Sequence, residues 1–403
     1  MIKRLVSRLF YSAWNVLLAI LEVVFRCIPG TKPVWLVCER GDDACDNGLW
    51  FFKYLQENHP EINSKYVITA DAGDRRKLDP YSPHVLTLPS LKLFYYLIKS
   101  ECILSAHFRH YRNFLTYSPR VNSLIVAYVS KKKTVRLQHG ITINDLTRWL
   151  KDGNFKTDLF ICGAKPEFEY LKNLGIYDSS VYRYTGFARF DGLVPAETSS
   201  TQILLMPTWR RWLNNETDFL QSKYFSTYKA LLCDPRLQSL LHSHDLRLVF
   251  YIHPQFKQYA QHFQSLDLPR NIVIADCAKY DIQTLLRESS MMVTDYSSVA
   301  FDMAYMNKPI CYFQFDEDEY REKHFPAGYY DYCQGLGLWS STIEDLLGNI
   351  ETCVHNGMAM LDIHRKRTAQ FFTLSDRNNC KRINQDTCSL GADLNIEPAY
   401  EER

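Results

Sequence analysis

The chain has 403 residues, long for one domain and comfortable for two, and its 46% hydrophobic and 14% aromatic content is enough for real cores. A net charge of +2 gives no bulk electrostatic case for nucleic-acid binding. The twelve cysteines form no C-x-x-C pair or other zinc spacing, and Cys38, Cys102, Cys162 and Cys311 sit in apolar strand-like runs; the pattern fits a reducing, cytoplasmic protein.

Lys3, Arg4 and Arg8 precede an apolar run over 9–25 that is broken by Asn15 and Glu22 and closed by Pro29-Gly30. It has no small-residue cleavage site, so a removable signal is not expected. Residues 1–30 are read as a basic-apolar helix lying in the membrane interface, with a span or a helix packed on the core as alternatives. From 34 an α/β rhythm begins. Strands are expected at 34–38, 66–69, 85–88, 102–106, 135–137 and 158–162, with helices ending near 57, over 91–99 and opening near Pro166. The strand at 102–106 delivers His107, and that at 135–137 delivers Gln138, His139 and Gly140.

Near Gly186 the register restarts. Strands are expected at 203–206, 246–252 and 272–275, and helices over 222–241 and 282–287. Residues 291–294 form a buried strand followed by Asp295, Tyr296, Ser297 and Ser298. Val299, Asp302, Met303 and Met306 then fall at helical spacing, and Lys308-Pro309 leads into a strand at 310–313. The acidic run Asp316–Glu319 is expected in a solvated loop, with no dedicated metal ligands. Residues 325–339 are aromatic and Gly-rich, helices follow at 342–356 and 360–372, and a flexible tail is expected over 376–403.

In open α/β sheets ligands bind beyond the carboxyl ends of strands, and the polar motifs recur there. His139 and His253 each follow a strand; a histidine titrating near neutrality can take a proton from an attacking hydroxyl, although most loop histidines only make structural bonds. Ser297 and Ser298 at a helix start suit an anion, most simply a phosphate, or else only cap the helix. Arg189 and Arg210 can grip phosphate in bidentate fashion; for Arg189 an interdomain salt bridge with Asp191 or another carboxylate is the alternative. No Walker loop, Gly-x-Ser-x-Gly elbow or H-E-x-x-H occurs.

The string from Thr294 to Ser298 with Phe301, Asp302, Ala304, Lys308 and Pro309 resembles the TDYSS-x-x-FD-x-A-x-x-x-KP hallmark of the CDP-glycerol glycerophosphotransferase family of teichoic acid synthesis. The H-G pair at His139-Gly140, the H-P pair at His253-Pro254, Gly186–Asp191 and Pro207–Arg210 resemble further elements of the family. Gln138 replaces a usual aromatic residue, Ala188 a proline, and Tyr251 an arginine. The resemblance covers about 34–372.

It implies a GT-B type α/β fold, two Rossmann-like domains facing a central cleft; periodicity alone gives only two α/β domains. The acceptor domain would span 31–186 and the CDP-donor domain 187–375. It implies transfer of glycerol phosphate from CDP-glycerol to a hydroxyl of a lipid-linked or polymeric glycan at the cytoplasmic membrane face, with no cofactor. His139 would be the base and His253 a contact or proton source at the donor phosphates. Thr208, Arg210, Ser297, Ser298 and Arg189 would bind phosphate, and Gly140, Asp295, Asp302 and Lys308 are further candidates. The alternatives are CDP-ribitol as donor, a GT-B glycosyltransferase using a nucleotide sugar, and a degenerate nucleotide-binding module.

Overall fold

Alternation in the first strand puts Val34, Leu36 and Cys38 on one face and Trp35 and Val37 on the other, and all five are buried. A strand buried on both faces belongs inside a parallel sheet. The computed structural model describes residues 20–21, 23–28, 33–107, 131–152, 157–195, 201–275 and 279–391. In it β1 (Val34–Cys38), β2 (Asn63–Thr69), β3 (Val85–Leu88), β4 (Ser100–Ser105), β5 (Lys133–Arg136), β6 (Leu159–Cys162) and β7 (Tyr182–Tyr184) form a parallel sheet ordered β3-β2-β1-β4-β5-β6-β7. A second parallel sheet holds β8 (Gln202–Leu205), β9 (Arg247–Tyr251), β10 (Ile272–Ala275), β11 (Met291–Thr294), β12 (Ile310–Phe313) and β13 (Leu338–Ser340), ordered β10-β9-β8-β11-β12-β13. Strand order reverses between β1 and β4 in the first sheet and between β8 and β11 in the second. The two α/β halves expected from the sequence are therefore present. The three-residue strands β7 and β13 were not anticipated, being too short to show a period.

Local chemistry sets the helices that frame the site. Asp46 caps α1 (Asn47–Asn58) by accepting from Asn47 N at 2.7 Å; Leu49, Phe51, Phe52 and Leu55 pack inward, and His59-Pro60 stops it. Ser90 caps α2 (Leu91–Lys99), whose Leu93, Phe94, Leu97 and Ile98 cover the outer face of the first sheet, and α3 (Lys165–Asn173) opens at Pro166 as expected. Each such side chain, fully buried, contributes roughly 1.5–3 kcal/mol. On the inner faces, Val37 and Val135 of the first sheet and Leu204, Met292 and Tyr312 of the second share one continuous apolar cluster. One core thus joins the halves.

Three expectations need correction. The helix expected over 222–241 is two, α4 (Lys223–Leu232) and α5 (Pro235–Ser243), because Pro235 lacks an N–H and Asp234 caps the second by accepting from Arg236 N at 2.8 Å. The acidic run is not a solvated loop: Asp316 is buried and the rest opens α8 (Glu317–Lys323), where carboxylates favour the helix N-terminus. The part of the expected tail over 376–391 instead carries α11 (Asn379–Gly391), which follows α9 (Ile343–His355) and α10 (Asp362–Phe371) and returns to pack on α1 and residues 188–192, with Cys380 and Ile383 buried; residues 392–403 lie outside the described residues.

Of the expected N-terminal membrane helix, residues 1–19, 22 and 29–30 lie outside the described residues. Among the described ones, no helix is long and apolar enough to cross a membrane.

Candidate active site

The carboxyl ends of the two sheets meet, and the contact is close at Gly140. A Cβ there would stand 2.4 Å from Ser298 Oγ, so any larger residue would displace the Ser298 hydroxyl where the loop after β5 meets the turn after β11.

On the first-sheet side, Gln138 adopts φ 61° and turns the chain so that His139 projects from the strand end. Asn47 holds this turn: its Nδ2 donates to Gln138 O at 2.7 Å and Leu137 O at 3.2 Å, while its Oδ1 accepts from Arg189 N at 3.0 Å. The His139 ring stacks on His107, delivered by β4, with centroids 4.4 Å apart. His107 Nε2 lies 3.7 Å from Asp46 Oδ2. Crowding by protein, then the positive charges of Arg40, Arg189 and Arg136, push the His139 imidazole down to about 3. His139 is nevertheless an exposed residue, open to a ligand from solvent. A neutral imidazole at neutral pH is a ready proton acceptor.

On the second-sheet side, His253 follows β9. Its Nδ1 accepts from Gln255 N at 3.2 Å, which leaves the ring proton on Nε2 as a donor. Burial and Arg40 push its imidazole down to about 4. Trp209 lies against it at 6.2 Å and meets His324 edge-on at 5.0 Å; His324 Nδ1 accepts from Arg211 N. Thr208 is turned to the Asp295 carboxylate with its backbone N–H, at 2.8 Å, and with its side chain. Ser297 and Ser298 are half-buried at the turn before α7 (Ala300–Tyr305), and Ser297 Oγ accepts from Val299 N at 3.3 Å.

Other predicted site residues are committed elsewhere. Arg210 is fully buried: Nε and Nη2 fork onto Asp316 at 2.7 and 3.0 Å, Nη1 meets Asp295 Oδ2 at 2.9 Å, and the Tyr224, Tyr296 and Tyr320 rings surround the guanidinium. It is a strut, not a phosphate contact. Asp295 Oδ1 in turn takes Thr208 N at 2.8 Å and Tyr296 N at 2.6 Å, locking the turns after β8 and β11 together. Arg189 is the interdomain tie. It forks onto Asp302 at 2.7 and 2.9 Å and reaches Asp46 at 2.9 Å, while Asp191 instead accepts from Asn379 and Cys380 at the start of α11. Lys308 spends its ammonium on the carbonyls of Leu286, Arg287 and Ser289 at the end of α6 (Ile282–Glu288), at the amino end of β12 and away from the site.

Sequence reasoning passed over Glu39, Arg40, Asp46, Asn47 and His324. Glu39 is buried and accepts from the N–H groups of Cys45, Asp46 and Leu49 at 2.9, 3.0 and 2.8 Å; burial, then Asp43 and Asp46, push its carboxyl up to about 8. Glu39, Asp43 and Cys45 lie close enough for a metal ion, but Glu39 has both oxygens occupied by backbone donors, a poor donor set for a cation. For Glu39 and Arg40 the signal was their place just past β1; Asp46 and Asn47 start α1 and His324 follows α8, and that β1 and β4 are neighbours was not visible in the sequence.

The family model described as CDP-glycerol:poly(glycerophosphate) glycerophosphotransferase matches residues 183–387. The chain is 31% identical over 368 residues to the minor teichoic acid biosynthesis protein GgaB of Bacillus subtilis, covering 87% of this chain and 39% of that protein, so it spans about two-fifths of that relative. Over a shorter stretch of 56 residues, 14% of this chain and 9% of the other, it is 41% identical to the teichoic acid poly(ribitol-phosphate) polymerase of Bacillus spizizenii. In fold it is similar to the wall teichoic acid polymerase TagF, with a TM-score of 0.66 at 15% identity over 96% of this chain and 99% of that one; a variant of that polymerase soaked with CDPG superposes with a TM-score of 0.62 at 15% identity, over 97% and 99% of the two chains.

Proposed function

We propose that this chain, which belongs to the CDP-glycerol:poly(glycerophosphate) glycerophosphotransferase family, transfers glycerol phosphate from CDP-glycerol to a hydroxyl of a lipid-linked or polymeric glycan, releasing CMP. The product belongs to a teichoic acid or capsule-like surface polymer. The observation that carries this reading is the opposition of a neutral His139 on one sheet to His253 and Ser298 on the other, with Gly140 against Ser298.

The first half takes the acceptor and the second the CDP-donor, in a GT-B arrangement. The acceptor oxygen attacks the phosphorus bearing glycerol, its proton passes to His139, and the bond from that phosphorus to the bridging oxygen breaks. His253 donates from Nε2 to a donor phosphate oxygen, and Ser297 and Ser298 hold the diphosphate with hydroxyl groups. CDP-ribitol is the second reading of the donor, favoured by the local identity to a ribitol-phosphate polymerase.

The protein works at the cytoplasmic membrane face. Supporting this, Leu21 and Phe25 pack toward α2, with Phe25 against Phe94 and Tyr95, while Ile20, Val23, Val24, Ile28 and Leu91 stay exposed. An apolar patch of this kind suits an interface.

The test is CMP release from CDP-glycerol and from CDP-ribitol, with a detergent-solubilised lipid-linked disaccharide as acceptor. CMP with one donor and the alditol phosphate on the lipid supports the reading and names the donor. Silence with both, alongside reaction of a nucleotide sugar, sinks it in favour of glycosyl transfer.

A further inference from the structure

Arg40 stands just past β1, where strand order in the first sheet reverses and open α/β sheets receive ligands. Its backbone is fixed. Arg40 N donates to Asp43 Oδ1 at 2.8 Å, Gly41 O accepts from Thr69 N at 2.7 Å, and the Glu39 carboxylate gathers the N–H groups that follow. Its side chain is loosely held: 53% exposed, it makes one 3.3 Å contact from Nη1 to Asp43 Oδ2. By contrast, Arg189 and Arg210 are buried and each bound to two carboxylates.

Arg40 also acts on both imidazoles. It is the foremost charged influence on His139, ahead of Arg189 and Arg136, and on His253, which hangs from the opposite sheet. Cys38 O, two residues before Arg40, accepts from Ala106 N at 3.2 Å, so Arg40 leaves the sheet beside the strand end that carries His107 and, stacked on it, His139, on the side where the carboxyl ends of the two sheets meet. The loop it stands in is otherwise acidic, with Glu39, Asp42, Asp43 and Asp46, so Arg40 is the cation that loop offers to an anionic substrate.

We propose that Arg40 is a catalytic residue: its guanidinium leaves Asp43 and takes the non-bridging oxygens of the phosphoryl group in transfer. This rests on the glycerophosphotransferase reading. As the acceptor oxygen bonds to phosphorus and its proton moves to His139, the bond to the bridging oxygen breaks and CMP departs with that oxygen and the electron pair. Arg40 binds the charge on the equatorial oxygens from the acceptor half, with a planar fork matched to phosphate.

The experiment compares Arg40→Gln and Arg40→Lys with the wild-type full chain. In Arg40→Gln, kcat for CMP release from CDP-glycerol should fall about 100-fold, the usual cost of one lost donor to a developing oxyanion. CDP-glycerol affinity should hold, because the donor is seated on the other half, and Arg40→Lys should recover part of the rate through its charge alone. Independently of activity, NMR titration should show the His139 and His253 imidazoles both moving to higher pKa in Arg40→Gln. Unchanged kcat overturns the proposal, as does a loss confined to donor affinity. Imidazoles that do not move overturn it whatever the activity, because Arg40 then does not face the two histidines. Wild-type protein that releases no CMP from either CDP-alditol, while the imidazoles still move in Arg40→Gln, sinks the transferase reading and with it the phosphoryl role.

Discussion

His139 shows how single residues divide between chemistry and support. Its ring is held by a stack on His107 and by a loop that Asn47 anchors, so replacing it removes a proton acceptor without removing a strut. His139→Ala should therefore abolish CMP release while CDP-glycerol binding and the thermal midpoint stay close to wild type; lost donor binding with partial turnover would refute this division of labour. The pH profile carries the same logic. The imidazole is pushed below its ordinary 6.5, so the base form persists as pH falls through that value, and the acid limb of kcat/KM should lie below pH 6.5. An acid limb at or above 6.5 would contradict the assignment. The places of His139 and His253 past strand ends were legible, because apolar runs at 135–137 and 246–252 lead into them. Arg210 was equally visible and was misread, since its partner Asp316 lies 106 positions away and sequence gives no sign that the two meet. The sequence showed where polar groups leave strands, but not which of them neutralise one another.

Among the elements, the last helix corrects the sequence most. From Asp376 onward apolar residues thin out, and a loose tail was the natural expectation. Yet α11 buries Cys380, Ile383 and Thr387 against the first half, and Asp191 caps it, accepting from Asn379 N at 3.0 Å and Cys380 N at 2.8 Å. A few apolar positions suffice when the cap comes from elsewhere in the chain, and local composition cannot reveal a borrowed cap. A chain ended at residue 376 should be markedly less stable than the full chain in urea, where removal of a true tail would change nothing. Asp191→Ala should cost about 1–2 kcal/mol, the upper range for a helix cap; a change within about 0.5 kcal/mol, typical of surface substitutions, would show that α11 does not depend on it.

At the scale of the whole molecule, the two halves foreseen from the alternation of strands and helices are bound more tightly than that alternation suggests. The apolar cluster of Val37 and Val135 continues through Met206 and Met303 into the second half, and Arg189 bridges Asp46 and Asp302 within that boundary. All three charged side chains are largely buried, so the tie is sensitive to losing its middle member. Arg189→Met leaves two carboxylates near one another without a cation, and breaking such a buried pair costs about 3–5 kcal/mol. Because the core is shared, the wild type should unfold in one calorimetric transition, with van't Hoff and calorimetric enthalpies in agreement. Arg189→Met should lower that transition but leave it single, because the shared apolar cluster remains in place. Two transitions in either protein would mean the shared cluster does not couple the halves. A variant as stable as wild type would mean that Asp46 and Asp302 find other partners, and the rigid link between the His139 loop and the Ser297-Ser298 turn would have to run through Gly140 and Ser298 alone.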